Sequence, residues 1–124
     1  MVKVTKIALK KKNIESVLSP LESDVIRILW KLEKARVREV HKLVKRRRQV
    51  ALSSVAVILD RLHKREIVIR EIEKGLGGGH YIYYPKTTKE GFERSIVDNT
   101  VNKLINNFGD VAVNYFHKRF SKRK

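Results

Sequence analysis

The 124-residue chain contains no cysteine. That excludes disulfides, thiolate metal sites and thiol redox sensing. No apolar run approaches the ~18 residues a membrane-crossing helix needs, and the start lacks an unbroken apolar stretch of signal-peptide length. A cytoplasmic protein is expected. Proline occurs twice and glycine six times, with four of the glycines between positions 75 and 79. There is no Pro/Gly-rich linker and no internal repeat. Acidic residues are few, 13 against 29 Lys and Arg, for a formal net charge of +16. Such a field attracts phosphate polymers or anionic surfaces and repels basic partners. With 42% hydrophobic residues, one domain's worth of chain can still build a core.

The positive charge is clustered, as in a nucleic-acid footprint. One block is Lys3, Lys6, Lys10, Lys11 and Lys12. A second is Lys42, Lys45, Arg46, Arg47 and Arg48. A third is Lys118, Arg119, Lys122, Arg123 and Lys124. Nucleoid association follows as an expectation.

Between the blocks lie regular elements. Ser19-Pro20-Leu21-Glu22 reads as a capping box with Pro at the first helical position. Leu21, Val25, Ile28, Leu29 and Leu32 then mark one face of a helix. A shorter helix spans about Val37 to Arg46 with Val40, Leu43 and Val44 inward, and it is poorly capped by Arg36. The third helix runs from Ser53 to Arg65, with Val55, Ile58, Leu59 and Leu62 inward and Ser53 or Ser54 as cap. It feeds into two β-type runs, Ile67–Ile72 and Tyr81–Tyr84, around a glycine-rich tip from Lys74 to His80. A capping box at Thr87–Glu90 opens a long helix, which Gly109 ends. Asp110 caps a last helix carrying Val113, Phe116 and Phe120.

Three helices and a hairpin make a helix-turn-helix with a wing. The fold expected is mainly α with a small β-hairpin, a winged helix-turn-helix domain followed by C-terminal dimerisation helices. Residues 1–13 form a basic N-terminal arm, 14–86 the winged-helix domain, and 87–124 a helical dimerisation region with a basic tail. The third helix can enter the major groove of duplex DNA. Its outward face offers Ser53, Ser54, Ala56, Val57, Arg61 and Lys64. The first four suit thymine methyls, phosphates or bases, and none is the Arg, Asn or Gln of direct purine readout. Lys45, Arg46, Arg47 and Arg48, with Lys74 and His80 of the wing, are candidate backbone contacts.

Other chemistries find little support. The glycine tip lacks the Lys-Ser/Thr that follows a phosphate-cradling loop, and it joins two strands. His41, His63, His80 and His117 have no zinc-type spacing, so neither metal nor cofactor is expected. No catalytic residue stands out, and the chain is not read as an enzyme. The long helix carries Phe92, Ile96, Val101, Leu104, Ile105 and Phe108, and the last helix Phe116. That is more apolar surface than a three-helix domain covers, so a homodimer is expected. Alternatives are an architectural or weakly sequence-specific DNA-binding protein, and a winged-helix protein-interaction subunit of a transcription complex.

Several ordered segments resemble one family. Leu18–Glu22, Val25–Trp30, Val37–His41, Ala51–Leu62 and Tyr81–Pro85 are similar to the penicillinase-repressor (BlaI/MecI-type) transcriptional regulators. The resemblance implies a winged-helix homodimer that represses by occupying operator DNA. In this chain Ala56 stands at a family position that can hold a base-reading Arg. Asn107-Phe108 resembles the bond cut in β-lactam-responsive members, but it precedes Gly109-Asp110, and the cleavage switch is not carried over. The cysteine cluster of copper-responsive relatives is absent, and the effector is unknown.

Overall fold

A computed structural model describes Ile7, residues 13–75 and residues 78–121. The arm before residue 13 (Ile7 aside), Leu76 and Gly77 of the tip, and Lys122, Arg123 and Lys124 of the tail lie outside the described residues. A 3-10 turn, Asn13–Ser16, precedes α1 (Pro20–Leu32), α2 (Val37–Val44) and α3 (Leu52–Lys64). The hairpin is β1 (Val68–Gly75) and β2 (Gly78–Pro85), followed by α4 (Lys89–Phe108) and α5 (Asp110–Ser121).

At the start of α1 the Ser19 hydroxyl accepts from the Glu22 N–H at 3.2 Å, and the Glu22 carboxylate accepts from the Ser19 N–H at 2.9 Å. This is the capping box expected from the sequence. The second Glu22 oxygen accepts from Arg65 at 3.1 Å, and Arg65 also donates to the Val17 carbonyl at 3.3 Å. One buried carboxylate thus starts α1 and holds the end of α3. Beyond α3, Glu66 adopts a left-handed φ of 60°. Its N–H donates to the His63 carbonyl, and that of Ile67 to Leu62. The helix therefore closes in a Schellman turn that aims the chain into β1.

Val25, Ile26 and Leu29 of α1, Val40 and Val44 of α2, and Val55, Leu59 and Leu62 of α3 form the core with Val68 and Tyr83 of the hairpin. The expected face of α1 is shifted. Ile26 is fully buried, whereas Leu32 at the helix end is exposed. The reason is that α1 is packed on more than one side, against the 3-10 turn, α2, α3 and β2. The two N–H···O bonds between Ala35 and Tyr83, 2.9 and 2.8 Å, add a short third segment to the sheet.

Three start signals read from sequence move by one or two residues. The N-cap of α3 is Ala51, and Ser53 and Ser54 lie inside the first turn. The backbone turns helical once Ala51 leaves extended geometry (φ −77°, ψ 154°), so the serines cannot cap. The cap of α4 is Thr88, whose hydroxyl accepts from Gly91 N–H at 3.1 Å. Thr87 is committed elsewhere, because its carbonyl accepts from the Trp30 indole N–H at 3.0 Å. A Cβ on Gly91 would come within 2.0 Å of the Thr87 hydroxyl oxygen, so this approach requires glycine. Asp110 stands within the first turn of α5, where its charge favours the helix dipole. The strands also run further into the glycine tip than their side chains suggest. The register pairs Lys74 with Gly79 and Gly75 with Gly78, because ladder bonds use backbone only.

Phe92 is not a surface residue of α4. It is 1% exposed in the core of its own chain, its ring 6.0 Å from that of Trp30. The core claims this ring and so removes it from the expected dimer seam. Past Asn99 the helix carries Leu104 and Phe108 exposed. α4 and α5 meet at Gly109. Phe92→Ala is expected to destabilise the folded chain by about 3–5 kcal/mol, measured by urea unfolding.

Candidate nucleic-acid interface

With Val55, Ile58, Leu59 and Leu62 turned into the core, α3 presents Ser53, Ser54, Val57, Arg61 and Lys64 to solvent, with Ala56 half-buried. Hydroxyls and methyl groups occupy the first turn, which has no side-chain cap. Uncapped first-turn N–H groups are a favourable seat for an anion. The two cations further along are not equivalent. Lys64 pairs at 3.1 Å with Asp60, which also takes Arg70 of β1 at 2.9 Å. Hydrogen bonds from Lys64 and then Arg70 hold the Asp60 carboxyl below its ordinary range. Arg61 makes no such pair among the described residues.

The turn after α2 divides its basic block. Arg48 folds back and donates to the carboxylate of Asp24, which is only 6% exposed. Arg47 sits 3.6 Å from the other oxygen of Asp24 and remains largely in solvent. Lys45 and Arg46 are exposed. The Arg48 side chain therefore anchors the turn against α1, while Lys45, Arg46 and Arg47 face outward. His41 makes a 2.8 Å hydrogen bond with the Val50 carbonyl, tying α2 to the approach to α3.

The wing is braced from two sides. Arg70 reaches α3 through Asp60 and lies over the Tyr81 ring, 4.4 Å from its centroid. Arg36, at the cap of α2, pairs with Glu73 of β1. That bond is the first cause of a lowered Glu73 carboxyl pKa. Glu71 accepts from the Tyr84 hydroxyl at 2.6 Å, which raises the phenol's pKa. Lys74 and His80 are exposed on opposite strands near the tip. Between the wing and the starts of α2 and α3 opens a cleft of about 630 Å³ lined by Arg36, Arg38, Ser53, Ala56, His80 and Tyr81.

The structure thus brings Ser53, Ala56 and His80 to one cleft and sets Arg46 and Arg47 on the separate turn. Arg36, Arg38 and Arg70 were missed in sequence. The alternation Ala35-Arg36-Val37-Arg38 was a faint signal for the first two. Arg70 reads as an ordinary strand residue until Asp60 and Tyr81 are placed beside it. Among the described residues no cluster of three or more His, Asp or Glu could hold a metal, and no helix is long and apolar enough to cross a membrane.

Because the Asp60 and Glu73 carboxyls are lowered in the folded chain, their bracing is fully present above the ordinary carboxylate range. It is lost as pH falls through their depressed values. Carbon-detected titration of the side-chain carboxyls should place both midpoints below those of ordinary Asp and Glu side chains, and Arg36→Ala should return Glu73 towards its ordinary range.

No curated protein matches the chain. Among solved structures, a possible transcriptional regulator from Methanosarcina mazei is 18% identical, with 99% of this chain and 95% of that one covered and a TM-score of 0.53. A PadR family transcription regulator from Clostridium difficile is 16% identical, with 71% and 96% covered and a TM-score of 0.51. A cysteine-to-serine variant of ZitR from Lactococcus lactis, solved in complex with DNA, is 13% identical, with 97% and 82% covered and a TM-score of 0.50. At these identities the likeness is one of fold, the winged helix. The family model described as penicillinase repressor matches residues 18–123, nearly the whole described chain. The helix-turn-helix, the wing and the long following helix are thus covered by one match, and the chain belongs to the penicillinase repressor family of DNA-binding transcription regulators.

Proposed function

We propose that the chain is a homodimeric repressor that occupies operator DNA, with α3 in the major groove and the wing on the backbone or minor groove alongside. The observation that carries this reading is the layout around α3. A face of hydroxyls and methyl groups shares a cleft with Arg36, Arg38 and His80, and Lys45, Arg46 and Arg47 stand exposed on the turn that leads towards α3. The cations beside this face suit the phosphate backbone, and its small side chains suit base edges. Ala56 and Val57 touch thymine methyls, while Ser53 and Ser54 serve bases or phosphates. Lys74 and His80 extend the contact along the wing. Arg61 reaches backbone further along α3. Lys64 and Arg48 contribute less, because Asp60 and Asp24 already hold them.

The second copy is favoured by what the first leaves uncovered. Phe108 is 61% exposed and Val111 74%, and Leu104, Val113, Tyr115 and Phe120 are exposed with them. Phe116 lies half-buried between Tyr115 and Phe120, at ring separations of 6.2 and 6.3 Å. Ile96, Val101 and Ile105 are half-buried along α4. A patch of this kind on paired helices is covered by a second copy of residues 87–124. Two-fold pairing then sets two α3 helices about one helical turn of DNA apart, ~10 bp, or a multiple. Residence on DNA would place the protein with the nucleoid, and occupancy of a promoter would be the repressing act.

One observation favours a weakly specific, architectural role instead. The first turns of α3 carry no Arg, Asn or Gln. Selection of duplexes from a random pool at two salt concentrations separates the two readings. A repressor returns a palindrome preferred about 1,000-fold or more, whereas unrelated duplexes within about tenfold of the best site would establish the architectural role. Replacing Arg46 and Arg47 by Ala should weaken all duplexes alike and reduce the log–log salt slope by about 2 per subunit, about 4 for the dimer. Phe108→Lys should shift the protein from dimer to monomer in sedimentation, with the palindrome preference lost and the fold retained.

A further inference from the structure

A second concavity lies away from the wing. Between α1 and the turn that leaves α2 is an open cavity of about 290 Å³. Its floor is aliphatic, made by Ile28, Leu43 and Val44. Arg27 and Lys31, one helical turn apart on α1, form one bank. Arg46 and Arg47 form the other. The single acid in the lining, Asp24, is held by Arg48 and Arg47. Arg27 has only the exposed Glu15, at 3.3 Å, and Lys31 and Arg46 have no acidic partner among the described residues. Four cations therefore converge on an apolar floor with one acid among them.

We infer that this cavity binds a small amphiphilic anion, a carboxylate or phosphate monoester carrying an aromatic or branched aliphatic body. Two features select that chemistry over a bare phosphate. Guanidinium groups clamp a carboxylate or phosphate head in two-point fashion. The concave aliphatic floor would be idle under a phosphodiester, yet it takes an apolar body out of water. The volume lies at the lower end of the range for ligand cavities, which restricts the body to one ring or a short chain.

The site has a built-in consequence for the proposed DNA binding. Arg46 and Arg47 serve both ligands, so head group and DNA backbone compete for the same guanidinium groups. The turn is stiff, its N–H groups donating to the Leu43 and Val44 carbonyls. It leads within a few residues to the start of α3. A bound anion thus lowers affinity for DNA, and DNA lowers affinity for the anion by the same factor. This coupling rests on the DNA-binding reading, whereas occupancy of the cavity does not.

Methyl NMR of the full chain without DNA tests the site, with phenyl phosphate as the probe. Saturable shifts at the Ile28, Leu43 and Val44 methyls are expected, with Kd near or below about 1 mM. Inorganic phosphate, which has the charge without the body, and benzyl alcohol, which has the body without the charge, should each bind about tenfold more weakly or worse. Lys31→Gln, at a residue that is not itself a proposed DNA contact, should weaken the probe several-fold and change DNA affinity without probe far less than it changes probe affinity. At constant ionic strength, saturating probe should lower DNA affinity at least about fivefold in the native chain, and much less at the same concentration in Lys31→Gln. Absence of saturable methyl shifts would overturn the proposal. So would inorganic phosphate binding as tightly as the probe, which marks a surface for DNA phosphate alone. Saturation with DNA affinity unmoved would sink the coupling and leave the site standing. A chain that binds no DNA would sink the regulator reading, while the methyl titration still decides the cavity.

Discussion

The pair of buried Glu22 and half-buried Arg65 is the constraint on which the rest of the molecule hangs. The two side chains are 8% and 16% exposed, with a 3.1 Å contact between them. A charge removed from water this far needs its partner, and deleting either one typically costs about 3–5 kcal/mol. The pair joins the first turn of α1 to the residue that ends α3. The direction of α3 and the Schellman turn into β1 are then set together. A recognition helix and a wing act as one surface only if their relative angle is held, and this contact lies at the corner between them.

Scarcity of acid explains much of the remaining architecture. With 13 acids against 29 bases, most cations have no partner available. Several of the acids stand at joints. Asp24 anchors the turn before α3, Asp60 joins α3 to β1, and Glu73 joins the wing to α2. Each draws one or two cations inward and orients them. The surplus stays in solvent, where it builds the positive field that draws phosphate. The division is made residue by residue, as the adjacent pair Arg47 and Arg48 illustrates. Arg48 is folded onto Asp24, while Arg47 reaches the same carboxylate loosely and remains mostly exposed.

The long helix α4 joins two different environments. At its root Trp30 and Phe92 fasten it to the core, and Gly91 lets Thr87 lie close. Further along, exposed aromatic and aliphatic residues face water. A helix fastened to the core at its root and carrying exposed apolar residues further out transmits position, so pairing of two such helices would fix the spacing of the two α3 helices. The cationic cavity between α1 and the turn after α2 lies next to the segment that leads into α3. Events at either place would bear on how α3 is presented.

The helices and their inward faces were legible in the chain itself, because spacing at i, i+3, i+4 and i+7 is a local property of the helix repeat. Val55, Ile58, Leu59 and Leu62 needed no tertiary information, nor did the capping box at Ser19, whose partners are three residues apart. The hairpin was legible from β-formers around a glycine tip, although its ladder runs on into glycines that carry no pattern. Only the tertiary structure decided which cations are free, because that depends on acids distant in sequence. Asp24 lies 24 residues from Arg48, Glu73 37 from Arg36, and Glu22 43 from Arg65. Phe92 likewise reads as one more apolar residue on a long helix until Trp30, far away in sequence, claims it. Periodicity reports which face of an element is apolar. Which neighbour covers that face, and which charge is neutralised, is settled only when distant segments meet.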